Sequence, residues 1–293
     1  MRKHLPDTII RAEFKDGPLA VTGIGELYQT EAGSLAIGLI RPPELAFVQI
    51  DDPAAITGDL RKAHWLLSVE NLSYIMAARA GLPVDPQQLR APAETLILPV
   101  SDPLSTASRV SVLLSAITGI ATRNVVGFNR SARSAALLAG DVDLLTVGLT
   151  SDLESVIASG DVVPLYSIVG DDFSALDPSL PTLDDFLSPD APDTVVTFVQ
   201  SARGMGRAFF APPNTDPADV AALSELMQAI VTDPDFIQDA QLQGIPIAAK
   251  SGEALSQQID ALIPSDETAR TLILNAYACG LEMSLNPAHT CSY

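Results

Sequence analysis

Residues 95–149 read TLILPVSDPLSTASRVSVLLSAITGIATRNVVGFNRSARSAALLAGDVDLLTVGL, and the order of patterns in that stretch decides the fold. An apolar run of strand length, 95–100, passes through a polar turn into a helical period that runs from Ser105 through Val112, Leu113 and Ile117 to Gly119. A second strand-like piece, 124–127, leads through another polar turn into a helix from Ser131 to Ala139, closed by Gly140. A third apolar run follows at 142–147. Strand, helix, strand, helix is the order of α/β architecture rather than of a barrel or a bundle.

The same alternation extends outward. Residues 35–40, 46–50, 162–168, 194–199 and 208–211 have strand length, and their near-continuous apolar character predicts a sheet buried on both faces, the habit of parallel pairing. Downstream, Thr215 or Asp216 is placed to cap a helix, Pro217 falls in its first turn and Asp219 favours its positive end. Val220, Leu223, Met227 and Ile230 then form one apolar stripe, Asp233-Pro234 ends it, and a shorter helix carries 236–243 up to Gly244.

With 293 residues the chain suits two domains, and 47% hydrophobic against 18% charged residues excludes a disordered composition. The 36 acidic against 17 basic side chains give a net charge of −19, the opposite of what nucleic acid or an anionic membrane surface attracts. A small anionic ligand is not excluded, because local donors in a cleft outweigh a distant screened charge. No apolar stretch reaches transmembrane length: 110–121 is too short, and 132–149 is interrupted by Asp141 and Asp143. The N-terminus has a basic start without the apolar run of a signal peptide. Cys279 and Cys291 are the two cysteines; bonded, they would close a short loop worth about 3 kcal/mol, and the spacing fits two free thiols equally well.

Catalytic groupings are not evident. His4, His64 and His289 are scattered away from ligand-spaced partners, and neither a G-x-S-x-G elbow nor a phosphate-binding G-x-x-x-x-G-K-[ST] loop is present. The pairs Asp51-Asp52, Asp171-Asp172 and Asp184-Asp185 stand beside turn and cap residues, where solvated acids are ordinary. The sequence offers instead three polar turns: 15–23, 101–106 and 128–132. Helix N-termini behind such turns present unpaired N–H groups and a positive dipole end, the elements of an anion-receptive pocket. Each turn alone is explained by ordinary capping; three in one chain, at strand ends, favour a shared cleft.

These pieces resemble, in collinear order, the tripartite tricarboxylate transporter receptors, the Bug family of solute-binding proteins. Leu137-Leu138-Ala139-Gly140-Asp141-Val142-Asp143 is similar to the family's "LLGGEVD", and residues 153–162 to its "ALPHIRSGKLRAL" segment. Residues 211–217 are similar to "APAGTPP", residues 232–236 with Gly244 to its "DPEV…LG" helix, and Ser101 to Ser105 with Gly119-Ile120 to "SSGVGS…TGI". The resemblance covers about residues 10–260 and implies two doubly wound α/β domains hinged around a ligand cleft, of the type II periplasmic binding protein kind. Domain 1 would hold 1–92 plus 207–293, and domain 2 would hold 93–206.

The resemblance further implies a periplasmic receptor, not an enzyme, monomeric and without a cofactor or metal. It would capture a small carboxylate by hinge closure and hand it to the membrane permease subunits of a tripartite transporter. The alternative is a sensor or interaction module on the same fold. By position, Gly17, Pro18, Leu19 and Ala20 fall on the family's "NRPGAGG" loop, and Ser101, Asp102, Ser105 and Thr106 would come from the other domain. Asn129, Arg130, Ser131 and Ala132 occupy its "KGGS" turn, and Thr150 follows the strand after Asp143. Lys15, Arg130, Arg133 and Arg203 are expected near these loops. Three departures stand out. The family's first strand and "PFPPGGG" loop have no counterpart here, so a complete member would be longer by a leader and one βα unit. Pro18, Leu19, Asp102 and Arg130 replace loop glycines, and the tail after Asn275 matches nothing in the family.

Overall fold

The computed structural model describes residues 3–15, 21–31, 35–70, 72–91, 94–148, 156–170, 177–243 and 247–293, with only the backbone at Arg130. In chain order the elements are α1 (Val21–Tyr28), β1 (Gly38–Ile40), α2 (Pro42–Asp51), β2 (His64–Ser68), β3 (Tyr74–Arg79), α3 (Pro86–Leu89), β4 (Leu96–Pro99) and α4 (Thr106–Thr118). There follow β5 (Thr122–Val125), α5 (Arg130–Ala139), β6 (Leu144–Gly148), β7 (Val162–Val169), α6 (Leu183–Phe186), α7 (Asp193–Gly204) and β8 (Ala208–Ala211). The chain ends with α8 (Pro217–Val231), α9 (Pro234–Leu242), β9 (Lys250–Ser251), α10 (Gly252–Leu262) and α11 (Glu267–Leu285).

Two compact units divide the chain. The first joins Met1–Asn71 to Met205–Ile263; the second joins Leu72–Gly204 to Pro264–Tyr293. This differs from the expected 1–92 plus 207–293 and 93–206 in two places. The second unit takes β3, because that strand is hydrogen-bonded between β6 and β7. It also takes α11, whose Gly280 lies so close to α4 that a Cβ there would strike the carbonyl of Val112.

In the first unit the sheet order is β1-β8-β2-β9 and the pairings are antiparallel. Leu66 and Leu67 of β2 and Ala211 of β8 pack against Leu223, Met227 and Val231 of α8, with Val220 at the edge; Val220, Leu223 and Met227 belong to the stripe that the sequence period indicates, and Val231 joins this cluster where Ile230 was expected. Asp216 starts that helix by accepting the N–H of Ala218, with Pro217 in the first turn. Phe210 is fully buried, 5.5 Å from the Trp65 ring and 6.3 Å from Tyr28. Such burial is worth about 1.5–3 kcal/mol, and its ring fills the space a side chain at Gly38 would need.

In the second unit β3 runs antiparallel to both β6 and β7, while β4 and β5 are parallel. The main chain of Asp143, just before β6, donates to the Ile97 carbonyl of β4 at 2.9 Å. The Asp143 carboxylate accepts the Ile97 N–H at 2.9 Å and the Arg79 Nε–H at 2.9 Å, so one side chain ties β3, β4 and β6 at their shared end. Ile75, Ala77, Leu137, Val142, Leu145 and Val162 form the apolar core beside it.

The two-unit α/β architecture expected from the sequence is thus present, but among the strands of the described residues β4 and β5 are the pair that runs parallel, the others being antiparallel. Apolar runs report burial on both faces, and burial does not fix strand direction. Two runs expected as strands are helices. Residues 46–50 lie in α2, where Pro42 and Pro43 pre-set the first turn and Leu45, Ala46, Phe47 and Ile50 are buried. Residues 194–199 lie in α7, whose buried positions Val195, Val196, Phe198, Val199 and Ala202 follow the helical period.

Candidate functional site

β4 and β5 are in parallel register, Leu96 opposite Thr122 and Pro99 opposite Val125, so their carboxyl ends and the turns that leave them share one edge of the second unit. Three main-chain hydrogen bonds lace those turns together: Val100 N–H to Val125 O at 2.8 Å, Phe128 N–H to Val100 O at 3.1 Å, and Gly127 N–H to Ser101 O at 3.1 Å. Gly127 has φ +98° with open space around it, so the position calls for glycine by conformation and not by crowding.

The first turn folds around an aspartate. Asp102 Oδ1 accepts the Leu104 N–H at 3.0 Å and Oδ2 accepts the Ser101 hydroxyl at 3.0 Å, while the Ser105 hydroxyl donates to the Asp102 carbonyl at 2.9 Å. Ser105 is the N-cap of α4 and accepts the Ser108 N–H. The second turn ends in a neutral cap: Asn129 Oδ1 accepts the Ala132 N–H at 2.9 Å and the Ser131 hydroxyl at 2.9 Å. Behind the caps, the N–H groups of Thr106 and Ala107 in α4, and of Arg130 and Ser131 in α5, lie in first turns where a helix supplies no acceptor. Two positive helix ends therefore stand on adjacent strands.

α4 is fixed to β5 by a satisfied polar ladder. Asn124 donates to the Ser108 carbonyl and hydroxyl at 2.9 and 3.0 Å and accepts from Ser111 at 2.7 Å, and Ser115 meets the Thr122 hydroxyl at 2.6 Å. A run of buried serines is costly unless every hydroxyl is bonded; here the bonds hold the helix, and hence its N-terminus, in one register.

The structure brings together Ser101, Asp102, Ser105 and Thr106 with Asn129, the Arg130 backbone, Ser131 and Ala132. Gly17, Pro18, Leu19, Ala20 and Thr150 lie outside the described residues. Lys15, the residue before the undescribed 16–20, pairs with Glu26 at 2.9 Å and Glu13 at 3.2 Å. Arg203 is buried with its guanidinium 3.7 Å from the centre of the Tyr74 ring. Tyr74 had no sequence signal; its pairing with Gly148 of β6 and Val169 of β7 puts it at the carboxyl ends of those strands. Among the described residues no group of three histidines, cysteines or acids is arranged to hold a metal. Cys279 and Cys291 are joined as a disulfide.

Searches against family models and against curated proteins return no match. Solved structures do match across most of the chain. A TctC solute-binding protein from Polaromonas superposes with TM-score 0.68 at 17% identity, covering 93% of this chain and 88% of that one. The periplasmic binding protein BugD gives 0.60 at 19%, covering 94% and 89%. MatC from Rhodopseudomonas palustris with bound malate gives 0.55 at 14%, covering 87% and 85%. The chain has the two-unit α/β fold of the TctC and Bug solute-binding proteins.

Proposed function

We propose that this protein is an extracytoplasmic receptor that captures a small organic acid and delivers it to the permease subunits of a tripartite tricarboxylate-type transporter. The observation that carries the reading is the pair of laced turns on β4 and β5, which set two helix N-termini side by side. The fold supports it, since proteins of that fold include one with bound malate. The −19 charge does not oppose it, because first-turn N–H groups act at hydrogen-bond range while the net charge is screened within about 8 Å at physiological salt. In this reading the protein works as a periplasmic monomer, without catalysis. The acid shifts the two units toward a closed state because it bonds to both of them.

Isothermal titration against a panel of mono-, di- and tricarboxylates and amino acids tests the proposal. Saturable binding of at least one acid, one per chain, is expected; heats indistinguishable from dilution across the panel would defeat it. The sensor alternative is separated by uptake into vesicles carrying the permease subunits, which the receptor reading requires to depend on this protein.

A further inference from the structure

The core of the second unit contains a cavity of about 10 Å³ between α4, β5 and the β6-β3-β7 sheet, about the room that one water molecule needs. The residues that line it are each 7% exposed or less. Five of the nine are apolar, but Ser115 and Thr118 of α4, Thr122 of β5 and Tyr166 of β7 carry hydroxyls. Buried cavities lined by hydrocarbon alone stay dry, whereas those with several polar groups are the usual place of internal water.

The four hydroxyls divide into acceptors and a donor. Thr118 donates to the Leu114 carbonyl at 2.6 Å, and Ser115 donates to the Ser111 carbonyl at 3.2 Å. With the Ser115 proton used, the 2.6 Å contact between Ser115 and Thr122 is made by the Thr122 proton. A hydroxyl oxygen has two lone pairs. Thr122 therefore keeps acceptor capacity, and so does Thr118, which accepts the Ile120 N–H at 3.3 Å.

Tyr166 is the opposite case. It is 2% exposed, and its ring lies 4.4 Å from that of buried Phe186, so the phenol is held away from solvent. Burial pushes its pKa up, which keeps the proton on the oxygen at neutral pH. No described residue accepts that proton, although oxygens with spare lone pairs line the same cavity. Leaving a buried donor without an acceptor is costly, and a bridging water removes the cost.

We infer that the cavity is a binding site for one internal water, which accepts the Tyr166 proton and donates to Thr122 and Thr118. The inference is independent of the receptor reading. About three hydrogen bonds is the usual number for a buried water. This one joins β7 to the ladder that holds α4 on β5, so α4 is tied to both sheets of the second unit.

A crystal structure of the full chain, at a resolution that orders other internal waters, tests the site directly. One water peak within hydrogen-bond distance of Tyr166 Oη and of Thr122 or Thr118 Oγ1 is expected. An empty cavity, or a Tyr166 hydroxyl bonded straight to a protein oxygen, would overturn the inference whatever the variants do. Tyr166→Phe removes the donor and should lose that peak, with the other internal waters retained and the melting temperature lowered. A peak unchanged in Tyr166→Phe would remove the role given to the phenol. Thr122→Val and Tyr166→Phe depend on the same water, so the double variant should lose less stability than the sum of the two single losses. Strictly additive losses would count against the bridge.

Discussion

Asp143 shows how a residue that reads as a family signature acquires a physical role. The sequence marks it only as part of Leu137–Asp143. The structure makes it a substitute strand partner, accepting the Ile97 N–H and the Arg79 Nε–H while its own N–H donates to Ile97. Asp143→Ala leaves an Arg and a strand N–H without their acceptor, and should lower unfolding free energy by about 2–4 kcal/mol in urea titration. An effect below about 0.5 kcal/mol would show that water replaces the carboxylate. Asp59 supplies the pH dependence. Burial raises its pKa, but hydrogen bonds from the Arg61 and Gln49 side chains and the Arg61 N–H outweigh this and bring it from 3.8 down to about 2. A carboxyl depressed in the folded state contributes stability that is complete above about pH 4 and is lost as pH falls through about 2. The wild-type protein should therefore lose stability across that window more steeply than Asp59→Asn, as followed by acid titration of the denaturation midpoint.

Among the elements, α4 has the most demanding surroundings. One face is tied to β5 by the serine and asparagine ladder, and on another α11 comes within backbone contact at Gly280. Gly280→Ala should cost about 1–3 kcal/mol, the range for overpacking, because its Cβ meets a main-chain carbonyl that cannot rotate away. A melting temperature equal to wild type would show that the two helices slide apart freely. The tail beyond α11 is returned to it by the Cys279–Cys291 disulfide, across a sequence separation of 12. Reduction, or a Cys279→Ala/Cys291→Ala double variant, should lower stability by about 3 kcal/mol at most, through the freed denatured chain. Caps and stop signals made α4, α5, α8 and α9 readable, since Ser105, Asn129, Asp216 and Asp233 each accept an N–H of their own helix. Residues 46–50 and 194–199 were not readable as helices, because a short apolar run has the same composition in a buried strand and a buried helix.

At the scale of the whole molecule, the chain crosses between units near residues 71, 204 and 263. On the first-unit side the outgoing and returning segments are clipped together: Arg207 pairs with Glu70 at 2.6 Å, and the Ser68 hydroxyl lies within bonding distance of both Glu70 O and Arg207 O. On the second-unit side Leu72 N–H donates to Gly204 O at 3.1 Å. If the protein is a receptor, ligand binding is coupled to stability by mass action. An acid present at 100 times its dissociation constant should add about 2.7 kcal/mol and raise the melting temperature, and an acid that binds without any such rise would contradict a native-state site.

The sequence by itself determined the α/β class, the helices that carry their own caps, and the two polar turns that leave β4 and β5. These are set by neighbours within a few residues, so local chemistry suffices to read them. Only the tertiary structure decided strand direction, the transfer of β3 and α11 to the second unit, and the partners of Asp143. It alone also decided that Asp102 folds its own turn around its carboxylate. Those depend on which donors and acceptors meet across long sequence separations, and residue type and spacing carry no record of that pairing.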